Sequence, residues 1–237
     1  DKMVKFPKII SISNQKGGVG KTTTTINLST AMVSFDKKLL IIDLDPQGNA
    51  STGLGIDGRS RENNIYKALT SQEDINKCIF ETSIPNLKII PSTIDLSAVE
   101  VEFSNIEKRE LILKKVINEI KENFDYILID CPPSLGLLTI NAMASSDEII
   151  VPLQCEFYAL EGLSQLLKTI ELIKVKLNPN LKLKGIVLTM FDSRNKLSKL
   201  VENDVREHFK DKVYKTVIPR NVRISEAPSF GLPVLLY

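Results

Sequence analysis

The sequence predicts an α/β fold: a mostly parallel, twisted sheet with helices on both faces, in three layers. Three observations predict it. Short apolar runs alternate along the chain with longer amphipathic stretches, the pattern of strand-helix-strand units with right-handed crossovers. The apolar runs are dense in Ile, Val and Leu rather than alternating with polar residues, as strands covered on both faces must be. The 237 residues contain no repeat, no low-complexity segment and no linker between composition blocks, so residues 1–237 are read as one domain.

The strand candidates, in order, are "KIISIS" (8–13), "KLLIIDLD" (38–45), "LKIIPS" (87–92), "DYILID" (125–130), "EIIVPL" (148–153), "LKGIVLTM" (183–190) and "KVYKTVIP" (212–219). Helices are expected near 21–35, 97–122, 136–145, 159–176 and 196–210. In the second of these, Leu113, Val116, Ile117, Ile120 and Phe124 recur at three- and four-residue steps, one apolar face of a continuous helix. Residues 53–86 are irregular and polar and read as an excursion from the same domain. In such a sheet, ligands bind beyond the carboxyl ends of the strands.

Composition removes several kinds of chemistry. Hydrophobic residues make up 43% and charged residues 25% of the chain, ordinary for a globular domain that needs no disulfide or metal staple. No apolar run reaches the 18 or more residues of a membrane span, and the start, "DKMVKFPKIISIS", lacks the features of a signal peptide. Cys78, Cys131 and Cys155 are odd in number and far apart, which fits a reducing cytoplasm. Cys131 reads as a packed small residue. His208 is the single histidine, in the charged stretch "VREHFKDK". Multi-histidine metal sites are therefore excluded, and His208 reads as a helix-end surface residue. The net charge of +2 decides nothing by itself.

The densest signal is "SNQKGGVGKTTTTINLS" (13–29). The general phosphate-binding loop is Gly, four residues, then Gly-Lys-Ser/Thr. Gly20, Lys21 and Thr22 match its end, while Gln15 stands where the first Gly belongs. Gly17, Gly18 and Gly20 still allow the backbone to turn tightly and aim N–H groups inward. The helix opening at Lys21 points its positive dipole end at the same place. Lys21 supplies a charge for the β- and γ-phosphates, and the Thr22 hydroxyl is placed for Mg²⁺. Carboxylates should then stand at neighbouring strand ends. Asp43 and Asp45 end one strand and Asp130 another, the way a magnesium-side carboxylate is presented to a phosphate loop. Lys16 has no role in the general loop.

Together these stretches resemble a known family. "KGGVGKT" resembles the deviant Walker A motif of the ParA/MinD superfamily of P-loop NTPases. "DLDPQGN", "IIPST", "LIDCPPSLGLLTINAM", "VPLQCEFYALEGLSQL", "LTMFDSR" and "YKTVIPRNVRISEAPSFG" resemble more specifically the ParA/Soj partitioning ATPases, from about Lys8 to Tyr237. The resemblance implies an Mg²⁺-dependent ATPase of the three-layer P-loop fold, with Lys16, Gly17, Gly18, Val19, Gly20, Lys21, Thr22 and Thr23 around the nucleotide. It implies that Lys16 reaches in trans to the partner's ATP in a nucleotide-sandwich homodimer, and that Asp45 positions or activates the hydrolytic water. Asp130 matches the Walker B aspartate, and Asp43 is placed to support Mg²⁺ through its water shell. Pro219 and Asn221 match the loop that holds adenine. The catalytic set is then Lys16, Lys21 and Asp45, and the metal set Thr22, Asp43 and Asp130.

Positive charge concentrates late in the chain. Between Lys182 and Arg223 there are eleven Lys or Arg against five Asp or Glu, the footprint of phosphate-backbone binding. Few aromatics interleave, which argues against single-strand stacking. Arg194 and Arg223 match family arginines that bind nonspecific double-stranded DNA, with Lys196 and Lys199 beside them. The resemblance also implies a ParB/Spo0J-like stimulating partner and a cytoplasmic, nucleoid-associated protein without membrane attachment. A MinD-like membrane regulator would need a C-terminal amphipathic helix. The chain runs to "GLPVLLY" without one, and also without the C-terminal helix typical of ParA/Soj proteins, so it is the ParA-like internal stretches that decide against this rival. A nitrogenase-type cluster carrier would need a ligating cysteine pair, which Cys131 and Cys155 do not form. A regulatory protein that holds ATP but hardly turns it over stays open.

Overall fold

A computed structural model describes residues 7–220. Its eight strands form one sheet in the order β3-β4-β2-β5-β1-β6-β7-β8. They are β1 (Lys8–Ile12), β2 (Leu39–Asp43), β3 (Phe80–Glu81), β4 (Leu87–Ile90), β5 (Tyr126–Asp130), β6 (Glu148–Gln154), β7 (Lys182–Phe191) and β8 (Val213–Pro219). All pairings are parallel except β3 with β4. Around the sheet lie α1 (Lys21–Val33), α2 (Asn49–Gly53), α3 (Ile65–Leu69), α4 (Val99–Glu102), α5 (Ile112–Ile117), α6 (Leu137–Ser145), α7 (Ala159–Lys176) and α8 (Lys196–Phe209).

Successive strand side chains enter opposite layers, as the period of two requires. Ile10, Ile12, Leu39, Ile41 and Leu128 pack with Ile26 of α1 and Ala50 of α2. Ile9, Leu40, Ile42, Ile127 and Ile129 pack on the other face, against α3, α5 and α6. Ile149, Val151, Ile186 and Leu188 continue that second layer under α7 and α8. These central strands are apolar on both faces because each face is covered. The three-layer reading of the sequence therefore holds.

Two expectations are corrected. The helix anticipated over 97–122 is broken into α4, α5 and three short 3-10 turns, at Ile94–Ala98, Arg109–Leu111 and Lys121–Asn123. Its apolar positions are real, since Leu113, Ile117, Ile120 and Phe124 are buried against the sheet. The break has an identifiable cause. In a continuous helix the Leu113 N–H would donate to the Arg109 carbonyl. Here the Asn141 side chain of α6 stands between them: its Oδ1 accepts from Leu113 N at 3.1 Å and its Nδ2 donates to Arg109 O at 3.0 Å. A side chain inserted into the helical ladder interrupts it, and Lys108 just before adopts φ 56°. The second correction concerns 53–86, which is not wholly irregular. It carries α3 and the two-residue antiparallel edge strand β3, each too short for periodicity to reveal.

Candidate nucleotide site

The register of the three central strands builds the site. Asp43 lies opposite Asp130 across β2 and β5, and Asp130 lies opposite Ile12 across β5 and β1. Two carboxylates and the start of the loop thus end level, at the carboxyl ends of three central strands. Past β1 the chain turns through residues 13–20, with Gly18 at φ 71° and Gly20 at φ 83°. This left-handed backbone is open to glycine at little cost. Gly20 is the N-cap of α1 and offers no side chain to it, so the first N–H groups of the helix remain open. The N–H groups of Gly17, Gly18, Gly20, Lys21 and Thr22 have no acceptor among the described residues. Thr189 of β7 fixes the rim, donating from Oγ1 to the Val19 carbonyl at 2.6 Å.

Inside this bowl Lys21 is buried, 7% exposed, and its Nζ donates to the Lys16 carbonyl at 2.8 Å. Burial lowers its pKa, against the opposing pull of Asp130 and Asp45. Thr22 Oγ1 donates to Asp130 Oδ2 at 2.7 Å, and Thr25, one turn on, approaches Asp130 Oδ1 at 3.4 Å. Burial pushes the Asp130 carboxyl up, and the charge of Asp43 adds to it. Asp43 is also raised by burial, partly offset by its hydrogen bonds from Ser51. Asp43 accepts from Ser51 N and Ser51 Oγ at Oδ2 and from Asp45 N at Oδ1. Asp45 lies in the following turn, 7% exposed, with Oδ1 accepting from Gln47 N.

The structure thus brings Lys21, Thr22, Asp43, Asp45 and Asp130 together. Lys16 sits on the rim of the same loop, its side chain half exposed and its Nζ in an ion pair with Glu156. Glu156 was not legible in the sequence, because it follows β6 and meets the loop only through the parallel pairing of β1 and β6. Thr25 could have been found, since it shares a helix face with Thr22 by three-residue spacing. Ser51 carried no recognisable signal, and Ser92 lay within the family-like stretch "IIPST" with no role assigned to it.

Pro219, at the end of β8, lines a cavity of about 910 Å³ with Thr23 and Thr24 of α1. That cavity meets the phosphate loop only at this edge and runs along α1 toward Met32 and Tyr126. Asn221 and Arg223 lie outside the described residues. Arg194, Lys196 and Lys199 are all exposed, in the β7–α8 turn and the first turn of α8. Arg194 is paired with Asp192. Cys131 is fully buried and its thiol is pushed up by burial to about 12, a packed residue rather than a nucleophile. His208 is exposed near the end of α8, its Nδ1 within 2.7 Å of Asp204 O. Among the described residues no helix is long and apolar enough to cross a membrane.

Orphaned backbone donors beside a buried lysine and a helix-end hydroxyl suit a polyphosphate. The fold and this site define a P-loop nucleoside-triphosphate-binding protein. Comparison with known proteins narrows the class. A family model described as an AAA domain matches residues 7–183. The chain is 53% identical to the sporulation initiation inhibitor protein Soj of Bacillus subtilis, over 97% of this chain and 91% of that protein. It is likewise 53% identical to the chromosome partitioning protein ParA of Caulobacter vibrioides, over 97% of this chain and 87% of that one. Among solved structures it is similar to cobyrinic acid a,c-diamide synthase from Mycobacterium smegmatis with bound ATP analog and magnesium. That match has a TM-score of 0.86 and 35% identity, over 91% of this chain and 85% of that one. The chain belongs to the ParA/Soj family of partitioning ATPases.

Proposed function

We propose that this ATPase is a switch in which Mg²⁺ and ATP, bound at the loop, build a sandwich homodimer that holds double-stranded DNA without sequence preference. Hydrolysis, stimulated by a ParB/Spo0J-like partner, resets it, and repeated cycles on the nucleoid segregate a chromosome or plasmid. The observation that carries this reading is the unequal placement of two lysines on one loop. Lys21 is buried within the site, whereas Lys16 stands at the rim, within reach of something outside this chain.

The residues fit the nucleotide and its metal. The open N–H groups and Lys21 receive the β- and γ-phosphates. Among the described residues no cluster of three His, Cys, Asp or Glu could hold a metal alone, which suits Mg²⁺ held by one hydroxyl, nucleotide phosphates and waters. Thr22 would be its direct protein ligand, with Asp130 and Asp43 behind. When bound, Mg²⁺ neutralises charge developing on the phosphates. Asp45 orients the attacking water from its turn. Pro219, with Asn221 beyond it, borders the adenine. Lys16 leaves Glu156 to meet the second ATP across the dimer. Arg194, Lys196 and Lys199, with Arg223, supply phosphate-backbone contacts, and dimerisation doubles that surface so that binding becomes switchable.

The test is binding to random-sequence duplex DNA with ATP, with ADP and without nucleotide, at two salt concentrations. Binding only with ATP, weakened by salt, is expected. Binding indifferent to nucleotide would overturn the switch.

A further inference from the structure

The turn that carries Asp45 is held by a buried polar network that begins in a different strand. Asp45 N donates to Asp43 Oδ1 at 3.2 Å, while the Asp45 carbonyl accepts from Ser92 Oγ at 2.5 Å. Ser92, just past β4, is fully buried. Its own N–H donates to Ser51 Oγ at 3.1 Å, and Ser51 Oγ donates to Asp43 Oδ2 at 2.6 Å. The ring closes: Asp43, Ser51, Ser92, Asp45 and back to Asp43. Ser51 is fully buried as well. Arg61 braces the outside, reaching Ser92 O at 3.4 Å, Thr52 Oγ1 at 3.0 Å and Ile56 O at 2.7 Å. It packs so closely on Gly48 that a Cβ there would lie 2.5 Å from Arg61 Nη1. Gly48, at φ 67°, ends the turn and donates to Asp45 O at 2.9 Å.

A short loop carboxylate that must orient one water needs a fixed backbone, because a shift of about 1 Å can cost on the order of a hundredfold in rate. Burial makes these bonds matter, since a buried polar group left without its partner is costly. We propose that Ser92 is a positioning residue for Asp45, and that the Ser51–Ser92 pair sets the water-orienting carboxylate from the β4 side of the sheet. The inference rests on the reading of Asp45 as the residue that acts on the water. Ser92 itself touches no phosphate-loop residue among the hydrogen bonds of the described residues; it acts through the Asp45 carbonyl.

The experiment is a kinetic cycle on the full chain with saturating Mg²⁺–ATP and nonspecific duplex DNA: wild type, Ser92→Ala, Asp45→Ala and the double variant, each with a thermal melt. Ser92→Ala should lower kcat about tenfold, the worth of one well-placed hydrogen bond, with KM for ATP within about twofold. In the Asp45→Ala background the same substitution should change nothing further, because its route to the chemistry is gone. A slow Ser92→Ala whose loss is equally large in the Asp45→Ala background would overturn the inference, as would a Ser92→Ala enzyme at the wild-type rate. If Ser92→Ala does not fold, Ser92→Cys, which keeps the size but weakens the bond to the Asp45 carbonyl, carries the same cycle with the same criteria. Asp45→Ala at the wild-type rate would instead sink the role of Asp45, and this inference with it. A slow Asp45→Ala beside a normal Ser92→Ala sinks the positioning role alone.

Discussion

The two ends of the phosphate loop are built differently. At the helix end, Lys21 and Thr22 are tied to the loop carbonyl and to Asp130, and Asp43 and Asp45 are locked behind them. At the strand end, Lys16 is half exposed, and its ammonium has one partner among the described residues, the side chain of Glu156. Buried, multiply bonded groups hold one geometry, whereas a half-exposed ion pair of this kind contributes only about 0–1 kcal/mol and can be exchanged. The difference is what the proposed switch requires: one short motif that binds a nucleotide within the chain and keeps a cation for a partner.

The largest effect should come from the fixed end. Lys21→Ala should weaken nucleotide binding by about two orders of magnitude or more, since it removes the buried cation proposed to meet the phosphates. Titration with a fluorescent ATP analogue measures this. Lys16→Ala should separate from it: ATP affinity stays within about threefold, while ATP-dependent dimerisation, followed by light scattering, is lost. Equal loss of ATP binding in both variants would erase the distinction between the two ends.

A third prediction turns on the buried carboxyl group at the fixed end. The folded pKa of Asp130 is raised above its unfolded value by burial and by Asp43. Folded protein therefore binds more protons than unfolded protein over that window, so nucleotide-free stability falls as pH rises through it. Asp130→Asn should raise the nucleotide-free Tm by about 2–4 °C, roughly 1 kcal/mol for a chain of this size. The gain should be larger at pH 8 than at pH 5, and ATP hydrolysis should be lost. A Tm advantage that does not grow with pH would contradict the burial argument. A smaller effect is expected at the basic face: Arg194→Ala should weaken DNA binding a few-fold and reduce its salt slope by about one. The smallest is Glu156→Ala. It should move Tm by no more than about 2 °C, because the pair is half exposed. A larger loss would mean that the strand end is as rigidly built as the helix end.

Much of the fold was legible because its signals are local. The sheet's central strands are continuous Ile/Leu/Val runs, and α7 begins and ends where its apolar spacing does. The loop was legible because glycines, lysine and threonine at fixed spacing have few other uses. The stretch around 97–122 was misread for the opposite reason. Its periodicity records which side chains are buried, and those are buried as expected. Whether the backbone between them is one helix was decided by Asn141, 28 residues beyond Leu113. The contact of Ser92 with Asp45, 47 residues away, was invisible in the same way: the stretch "IIPST" marks the strand end, and nothing in it says what the serine meets.

Alone, the sequence determined the layer architecture, the phosphate loop and the presence of acidic residues at two strand ends. Each follows from spacing within a dozen residues: hydrophobic period, glycine backbone freedom, strand termination. Only the tertiary structure decided that Asp43 and Asp130 end level with each other, that Glu156 meets Lys16, and that Ser51 and Ser92 close a ring around Asp45. Those facts depend on parallel register, which brings together residues far apart in the chain, and on burial, which makes their hydrogen bonds obligatory.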